Sequence, residues 1–362
     1  MPRAHVHRLA MAAPDDTAAI ARAIAAGTIR PESIVAVLGK TEGNGCVNDF
    51  TRGYATQSLR LLLNRYLPQE AVDGICMVMS GGTEGALSPH WLVIEARSDE
   101  AGDGPALAVG HAITRPLRPE EIGRSAQVAL TAEAVCEAMA RADIADPGDV
   151  HFVQVKCPLL TAARVAEAEA RGAGVATRDT LKSMGLSRGA SALGIAAALN
   201  ELATEDIADD AIGCDLGLYS ARASTSAGVE LMANEIVVLG QSAAWTGPLR
   251  IGHTVMRDAV DLAPVHRLMR ELGLASALDS HEPTARLTAL LAKAEAGSSG
   301  AVRGWRHTML DDSDLSATRH ARAFTGGALA GLAGETALFV SGGAEHQGPD
   351  GGGPCAIIVE RI

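Results

Sequence analysis

An apolar, strand-like run ending in lysine occurs three times in this chain: residues 34–40, 152–156 and 287–293, closing on Lys40, Lys156 and Lys293. Each lysine is followed by an arginine that opens an Ala/Leu-rich helical stretch. A second apolar run then ends in serine next to a small residue: residues 77–82 around Ser80, 224–228 around Ser226, and 339–343 around Ser341. One ordered trio of Lys, Arg and Ser, repeated three times, confines the chain to three equivalent units. It also predicts a ligand touched three times by equivalent groups.

The repeat extends outward from the trio. Each copy opens with a short strand-like segment, at residues 5–9, 110–113 and 252–256. A helix follows, at 17–26 with Asp16 as N-cap and Gly27 as stop, at 132–141, and at 265–272 with Gly273 behind it. Each copy closes with a hydrophobic strand carrying an acid, at 91–95, 235–238 and 356–360. Strands alternating with helices define an α/β protein. Glycine- and proline-rich junctions at 102–105 and 247–248 divide it into units 1–103, 106–247 and 250–362. The middle unit carries an extra Ala/Glu helix near 161–171.

Composition narrows the partners. The net charge is −12, which disfavours nucleic acid and anionic membrane surfaces. No run of 18 apolar residues suggests a membrane span, and the first residues lack a signal core. Hydrophobic residues make up 47% but aromatics only 3%, so the core must be built from Ala, Val, Leu and Ile. The six cysteines, at 46, 76, 136, 157, 214 and 355, show no CxxC pairing. They read as reduced thiols of a cytoplasmic protein. Gly39-Lys40-Thr41 imitates the end of a phosphate-binding loop, but Ile34 stands where that loop needs glycine. His5 and His7 alternate along the first strand as polar positions, and no HExxH pattern suggests a catalytic zinc.

Lysine and serine in this pattern suit acyl transfer. Serine attacks a carbonyl only when a base takes its proton, and a Lys–Ser dyad is a known variant of the triad. Burial and nearby cations lower a lysine's pKa. An arginine about 4 Å away contributes roughly 4 kcal/mol at an effective dielectric of 20, or about 3 pKa units. Small residues beside each serine leave peptide N–H groups for a developing oxyanion.

Longer motifs surround these residues: Lys40-Thr41-Glu42-Gly43-Asn44-Gly45, Asn48-Asp49-Phe50-Thr51-Arg52-Gly53, Met79-Ser80-Gly81-Gly82-Thr83-Glu84-Gly85, and residues 341–349 from Ser341 to Pro349. With them the chain resembles the cyanuric acid hydrolase/barbiturase family of ring-opening amidohydrolases over essentially its whole length. The resemblance implies three similar α/β units about a pseudo-threefold axis, a strand-lined centre and outer helices, often called the Toblerone fold. It implies a central active site, no catalytic cofactor, and a homotetramer.

The resemblance also assigns roles. It implies Ser226 as nucleophile and Lys156 as general base. It implies substrate contacts from Lys40, Lys293, Ser80, Ser341, Gly81, Ala227, Gly342, Arg52, Arg188 and a third arginine. That arginine is Arg319 or Arg322; Arg322 is preferred, because Phe324 follows it as Tyr54 follows Arg52. A structural Mg²⁺ or Ca²⁺ is implied at Glu295, Ala344, Gln347, Gly348, Pro349 and Gly352. The sequence adds one local argument for Lys156. Lys40 and Lys293 have acids two residues on, Glu42 and Glu295, whereas Cys157 and Pro158 follow Lys156, so it lacks that local partner and is freer to lose its proton.

The expected reaction is opening of cyanuric acid through an acyl-enzyme to carboxybiuret, which yields biuret and CO₂. Barbituric acid is the alternative ring. A non-catalytic small-molecule binding protein on the same repeats is the alternative of another class.

Overall fold

The computed structural model describes residues 1–98, 104–278 and 286–361. Gly102 and Asp103 of the first expected junction lie outside the described residues, as does Ile362.

The first unit contains β1 (Arg3–Ala10), α1 (Ala18–Ala25), β2 (Ile34–Thr41), α2 (Phe50–Leu63), α3 (Gln69–Asp73), β3 (Cys76–Gly81) and β4 (His90–Arg97). The second contains β5 (Ala106–Ile113), α4 (Ser125–Arg141), β6 (Val150–Pro158), α5 (Ala162–Ala170), α6 (Thr180–Ala198), β7 (Ala223–Gly228) and β8 (Glu235–Ser242). The third contains β9 (Leu249–Met256), α7 (Ala263–Glu271), β10 (Leu287–Ala294), a small hairpin of β11 (Ala301–Val302) and β12 (Trp305–Arg306), α8 (Ala317–Ala333), β13 (Phe339–Gly342) and β14 (Gly353–Glu360).

Each unit forms a four-stranded sheet with one topology: β1-β4-β2-β3, β5-β8-β6-β7 and β9-β14-β10-β13. The first, fourth and second strands pair antiparallel; the second and third pair parallel. A parallel pair needs a crossover connection, and the helices α2, α6 and α8 lie in those crossovers. The threefold α/β repeat is therefore the architecture of the chain.

Strand alternation decides what faces the centre. In β2, Ala36 and Leu38 join the central apolar cluster, while Val37 packs with the helix residues Leu59, Leu62 and Leu63. Lys40 continues the central row. In β10, Ala289 and Leu291 face the centre, Leu290 and Ala292 pack outward, and Lys293 continues the inward row. The cores are mostly aliphatic, with Trp91, Phe152, Trp245 and Phe339 as the large aromatic members.

Helix α1 begins where its first-turn N–H at Ala18 bonds Asp16 Oδ1 (3.0 Å), and Gly27 behind it takes φ +73°. The extra middle helix starts at Thr161, whose hydroxyl accepts the Arg164 N–H (3.2 Å). Two expectations need correction. Helix α4 starts at Ser125, earlier than 132, because its first turn buries a polar residue, Gln127, against a neighbouring helix. There Gln127 Nε2 donates to the hydroxyls of Ser187 (2.9 Å) and Ser191 (3.0 Å) on α6. Arg188 lies mid-helix in α6, whereas the sequence pattern put an arginine near each helix start.

Candidate active site

Each lysine is the direct cross-strand partner of its unit's serine: Lys40 with Ser80, Lys156 with Ser226, Lys293 with Ser341. The serines ride on edge strands, and β7 lies against both β3 and β13. Three edge strands thus deliver three hydroxyls to a single cavity of about 510 Å³. Ser80, Ser226, Ser341, Gly81, Ala227, Gly342, Arg52, Arg188 and Arg322 line it. Arg319 does not: it is bound through Nε to Glu84 (3.2 Å) with its side chain 35% exposed.

The lysines stand behind this wall. All three are fully buried, and none belongs to the cavity lining. Lys40 and Lys293 were expected to touch substrate; their placement corrects this. They reach the cavity through serine. Lys40 Nζ donates to Ser80 Oγ (3.2 Å) and Lys293 Nζ to Ser341 Oγ (3.0 Å). Lys156 instead donates to Met79 O of the first unit (2.6 Å) and pairs with Glu230 (2.9 Å). Ser226 Oγ lies 3.2 Å from Ser341 Oγ.

Glu230 overturns the argument that Lys156 has no carboxylate partner. The acid lies 74 positions along the chain and arrives by folding. Glu42, the expected neighbour of Lys40, is exposed. The acids that matter are Glu84, Glu230 and Glu345, each four residues after its serine. That constant spacing is the one sequence signal of these acids.

Three arginines join the units in a ring, two of them through these acids. Arg322 of the third unit grips Glu84 of the first, with Nε–Oε2 and Nη2–Oε1 both 2.6 Å. Arg188 of the second grips Glu345 of the third at 2.8 and 2.6 Å. Arg52 of the first reaches the second unit at Ala227 O (2.7 Å) and also bonds Cys46 O (2.7 Å).

Burial dominates the titration of the lysines. It pushes Lys293 down to about 7, with Arg188 assisting and Glu345 and Glu295 opposing. It drives Lys40 well below the usual lysine range, with Arg322 assisting and Glu84 opposing. Lys156 is lowered by burial against the pull of Glu230. Burial would raise Glu345, but the Arg188 guanidinium overrides it and holds the carboxyl at about 2. Burial that lowers a lysine's pKa makes it a better proton acceptor for a nearby hydroxyl, and the guanidinium groups favour anionic or carbonyl-rich guests.

The candidate cation residues cluster beyond β10. The Glu295 carboxylate accepts from Thr318 Oγ1 (3.1 Å) and the Ala296 N–H (3.0 Å). Burial, then the neighbouring Glu345, pushes its pKa up. The 344–352 loop runs alongside: a Cβ on Gly351 would meet Gly297 Cα at 2.9 Å. Ala344 and Pro349 carbonyls each accept one turn hydrogen bond. The Gln347 side chain is committed elsewhere, accepting from Thr225 N–H (2.6 Å) and donating to Gly343 O (3.0 Å). Among the described residues no three His, Cys, Asp or Glu side chains are grouped to hold a metal ion, so carbonyl oxygens would supply the remaining ligands.

Three serines, each backed by a buried lysine on the neighbouring strand, and three inter-unit arginines thus surround one cavity. The chain belongs to the amidohydrolase ring-opening protein family, whose family model matches residues 5–360, and is a cyclic amide hydrolase. It is 62% identical to the cyanuric acid amidohydrolase of Bradyrhizobium sp. (strain ORS 375), over 99% of this chain and 98% of that one. It is 59% identical to the cyanuric acid amidohydrolase of Azorhizobium caulinodans, over 100% and 99%. The crystal structure of the A. caulinodans cyanuric acid hydrolase superposes with TM-score 0.94 over the whole of both chains. A second cyanuric acid hydrolase structure, described as structural concatenation, gives TM-score 0.94 at 49% identity, over 99% of this chain and all of that one. No helix among the described residues is long and apolar enough to cross a membrane.

Proposed function

We propose that this enzyme hydrolyses cyanuric acid, with Ser226 as nucleophile and Lys156 as its base. The observation that carries this is the convergence of three register-matched Lys–Ser pairs on one cavity, in a chain about 60% identical to cyanuric acid amidohydrolases over its full length. Cyanuric acid presents three equivalent carbonyls and three N–H groups. Ser80, Ser341 and the three arginines hold two carbonyl sectors, while the third meets Ser226.

Lys156 takes the Ser226 proton as the oxygen attacks the ring carbonyl carbon. Thr225 turns its N–H to Gln347 on the open edge of β7. Peptide groups alternate along a strand, so Ala227 offers its N–H on the same side to the tetrahedral oxyanion. The C–N bond breaks, and Lys156 returns its proton to the leaving nitrogen. Water then releases carboxybiuret, which loses CO₂ to give biuret.

Ser226→Ala should abolish turnover and retain substrate binding, and mass spectrometry of the wild type should trap an acyl adduct on Ser226. An adduct on Ser80 or Ser341 instead would refute the assignment. Parallel turnover of cyanuric and barbituric acids decides the ring. Turnover of neither, with saturable binding retained, would leave a binding protein.

One contact favours a second route. Ser226 Oγ bonds Ser341 Oγ, which receives Lys293 Nζ, and Lys293 lies at about 7. Lys293 could serve as base through Ser341. Ser341→Ala separates the routes: it cuts this relay and leaves Lys156 in place.

The Glu295 carboxylate and the backbone oxygens of Ala344, Gln347, Gly348, Pro349 and Gly352 form an oxygen-rich set that suits Mg²⁺ or Ca²⁺. A cation there would stabilise the loop and supply no step of the reaction. The cytoplasmic location and tetrameric assembly also remain part of this proposal.

A further inference from the structure

The three inter-unit arginines are not held alike, and the odd one lies beside Lys156. At Arg188 and Arg322, Nε donates to the acid four residues after a serine in the next unit. Arg52 has the corresponding acid in Glu230, yet its Nε is buried without a hydrogen-bond partner. Both Glu230 carboxylate oxygens are buried without a well-aligned hydrogen bond as well. Among the described residues its ion pair is with Lys156 at 2.9 Å. Arg52 Nε, 3.8 Å from Asp49 Oδ2 of its own unit, and Glu230, paired with Lys156, thus both keep unused hydrogen-bonding capacity at one unit boundary.

The glycine two residues after each serine shows what has changed. A Cβ on Gly82 would strike the Arg322 guanidinium, 2.0 Å from Nη2, and a Cβ on Gly343 would strike that of Arg188, 2.5 Å from Cζ. The slot over these glycines holds a neighbour's arginine. Over Gly228 the same slot holds the Glu230 carboxylate, 2.0 Å from the ideal Cβ position. Glu230 has folded back over its own backbone toward Lys156, and Arg52 sits outside the slot on two carbonyl oxygens.

We propose that Glu230 is a two-position positioning residue: it holds Lys156 away from Ser226 in the resting enzyme and transfers to Arg52 when substrate binds. The second position restores the pairing already present at the other two boundaries. It releases Lys156 Nζ toward its register partner Ser226 and satisfies Arg52 Nε. The proton stays on Lys156 while Glu230 is its partner and leaves once that partner is gone. This inference rests on Lys156 acting as the base.

The charged groups around Glu230 are Lys156 on β6, Arg52 on α2, Arg164 on α5 and Glu235 on β8. The kcat/KM pH profile reports the free enzyme. In Glu230→Gln its acid limb should move down by about 1–3 pH units, the effect of removing one opposite charge at contact distance. Glu84→Gln and Glu345→Gln should weaken substrate binding and leave that limb in place. An unmoved limb in Glu230→Gln, or equal movement in all three variants, overturns the proposal. A structure of Ser226→Ala with cyanuric acid bound provides a test independent of rate. Glu230 within hydrogen-bond distance of Arg52 Nε supports the transfer; Glu230 still on Lys156 refutes it. An acyl adduct on a serine other than Ser226 would instead sink the base assignment, so the two failures are distinguishable.

Discussion

Arg188 and Glu345 come from different units and close on each other through two hydrogen bonds, at 2.8 and 2.6 Å, at the wall of the cavity. The pair is both a strut and a binding element. Arg188 is held in place by an acid that the third unit supplies, so loss of the arginine leaves an orphaned carboxylate.

Arg188→Met should therefore destabilise the fold more than Arg188→Met combined with Glu345→Gln. Glu345 still reaches the cavity, with its side chain 27% exposed. The expected loss for the single variant is accordingly about 1–3 kcal/mol, below that of a sealed charge. Urea unfolding of both variants checks this. Equal stability of the single and double variants would show that the carboxylate does not depend on its partner.

Glu235 predicts a pH effect of opposite origin. It accepts the Met77 N–H of the first unit at 2.7 Å, and burial pushes its pKa up to about 7. The folded state then holds a proton that the unfolded state releases near 4.5. Between those values the native state binds more protons, so stability falls as pH rises from about 4.5 to 7. Glu235→Gln keeps an acceptor and removes this dependence. Its melting temperature at pH 8 should equal or exceed the wild type's, and the difference should vanish near pH 4. A lower melting temperature at pH 8 would mean that the ionised form is the one the fold uses.

The repeat and the inward lysines were legible because each is local: an apolar strand, a period of two, and a polar residue at its end; the order of the strands within each sheet was not, because strand pairing is set by contacts distant in the chain. The same locality misled the reading of Lys156. A carboxylate two residues away looks like a lysine's partner, yet Glu42 is exposed and Glu230 arrives from another strand's end. Inter-unit contacts such as Arg322–Glu84 have no local signature beyond a serine-to-acid spacing of four. The start of α4 was missed for a related reason: Gln127 looks like surface until α6 packs on it.

Lys293 predicts a slope as well as an activity. Its folded pKa of about 7 lies below the ordinary lysine value of 10.5. The unfolded state therefore binds the extra proton between about 7 and 10.5, and stability rises with pH across that window. One proton corresponds to about 1.4 kcal/mol per pH unit. Lys293→Met should lose that much slope at its steepest, whatever happens to its absolute stability through the lost bonds to Thr225 O and Ser341. Parallel denaturant curves at pH 7.5 and 9 measure it. An unchanged slope would place the Lys293 pKa outside the window.

Two glycines should respond in opposite directions to the same methyl group. Gly343 has φ +74°, and a Cβ there would lie 2.5 Å from both Cζ and Nε of Arg188. Alanine at this position is strained by the backbone and must also push the guanidinium out of its slot. Gly343→Ala should cost more than about 1 kcal/mol of stability. It should also raise KM by about 10–100-fold, the worth of one charged hydrogen bond. Gly331 lies on the exposed side of α8, where a Cβ would meet nothing within 4 Å. Gly331→Ala should stabilise the helix by about 0.5–1 kcal/mol and leave KM alone. If Gly343→Ala kept wild-type KM while Gly331→Ala behaved as stated, Arg188 would not be a substrate contact, because the slot that positions it would be dispensable for binding.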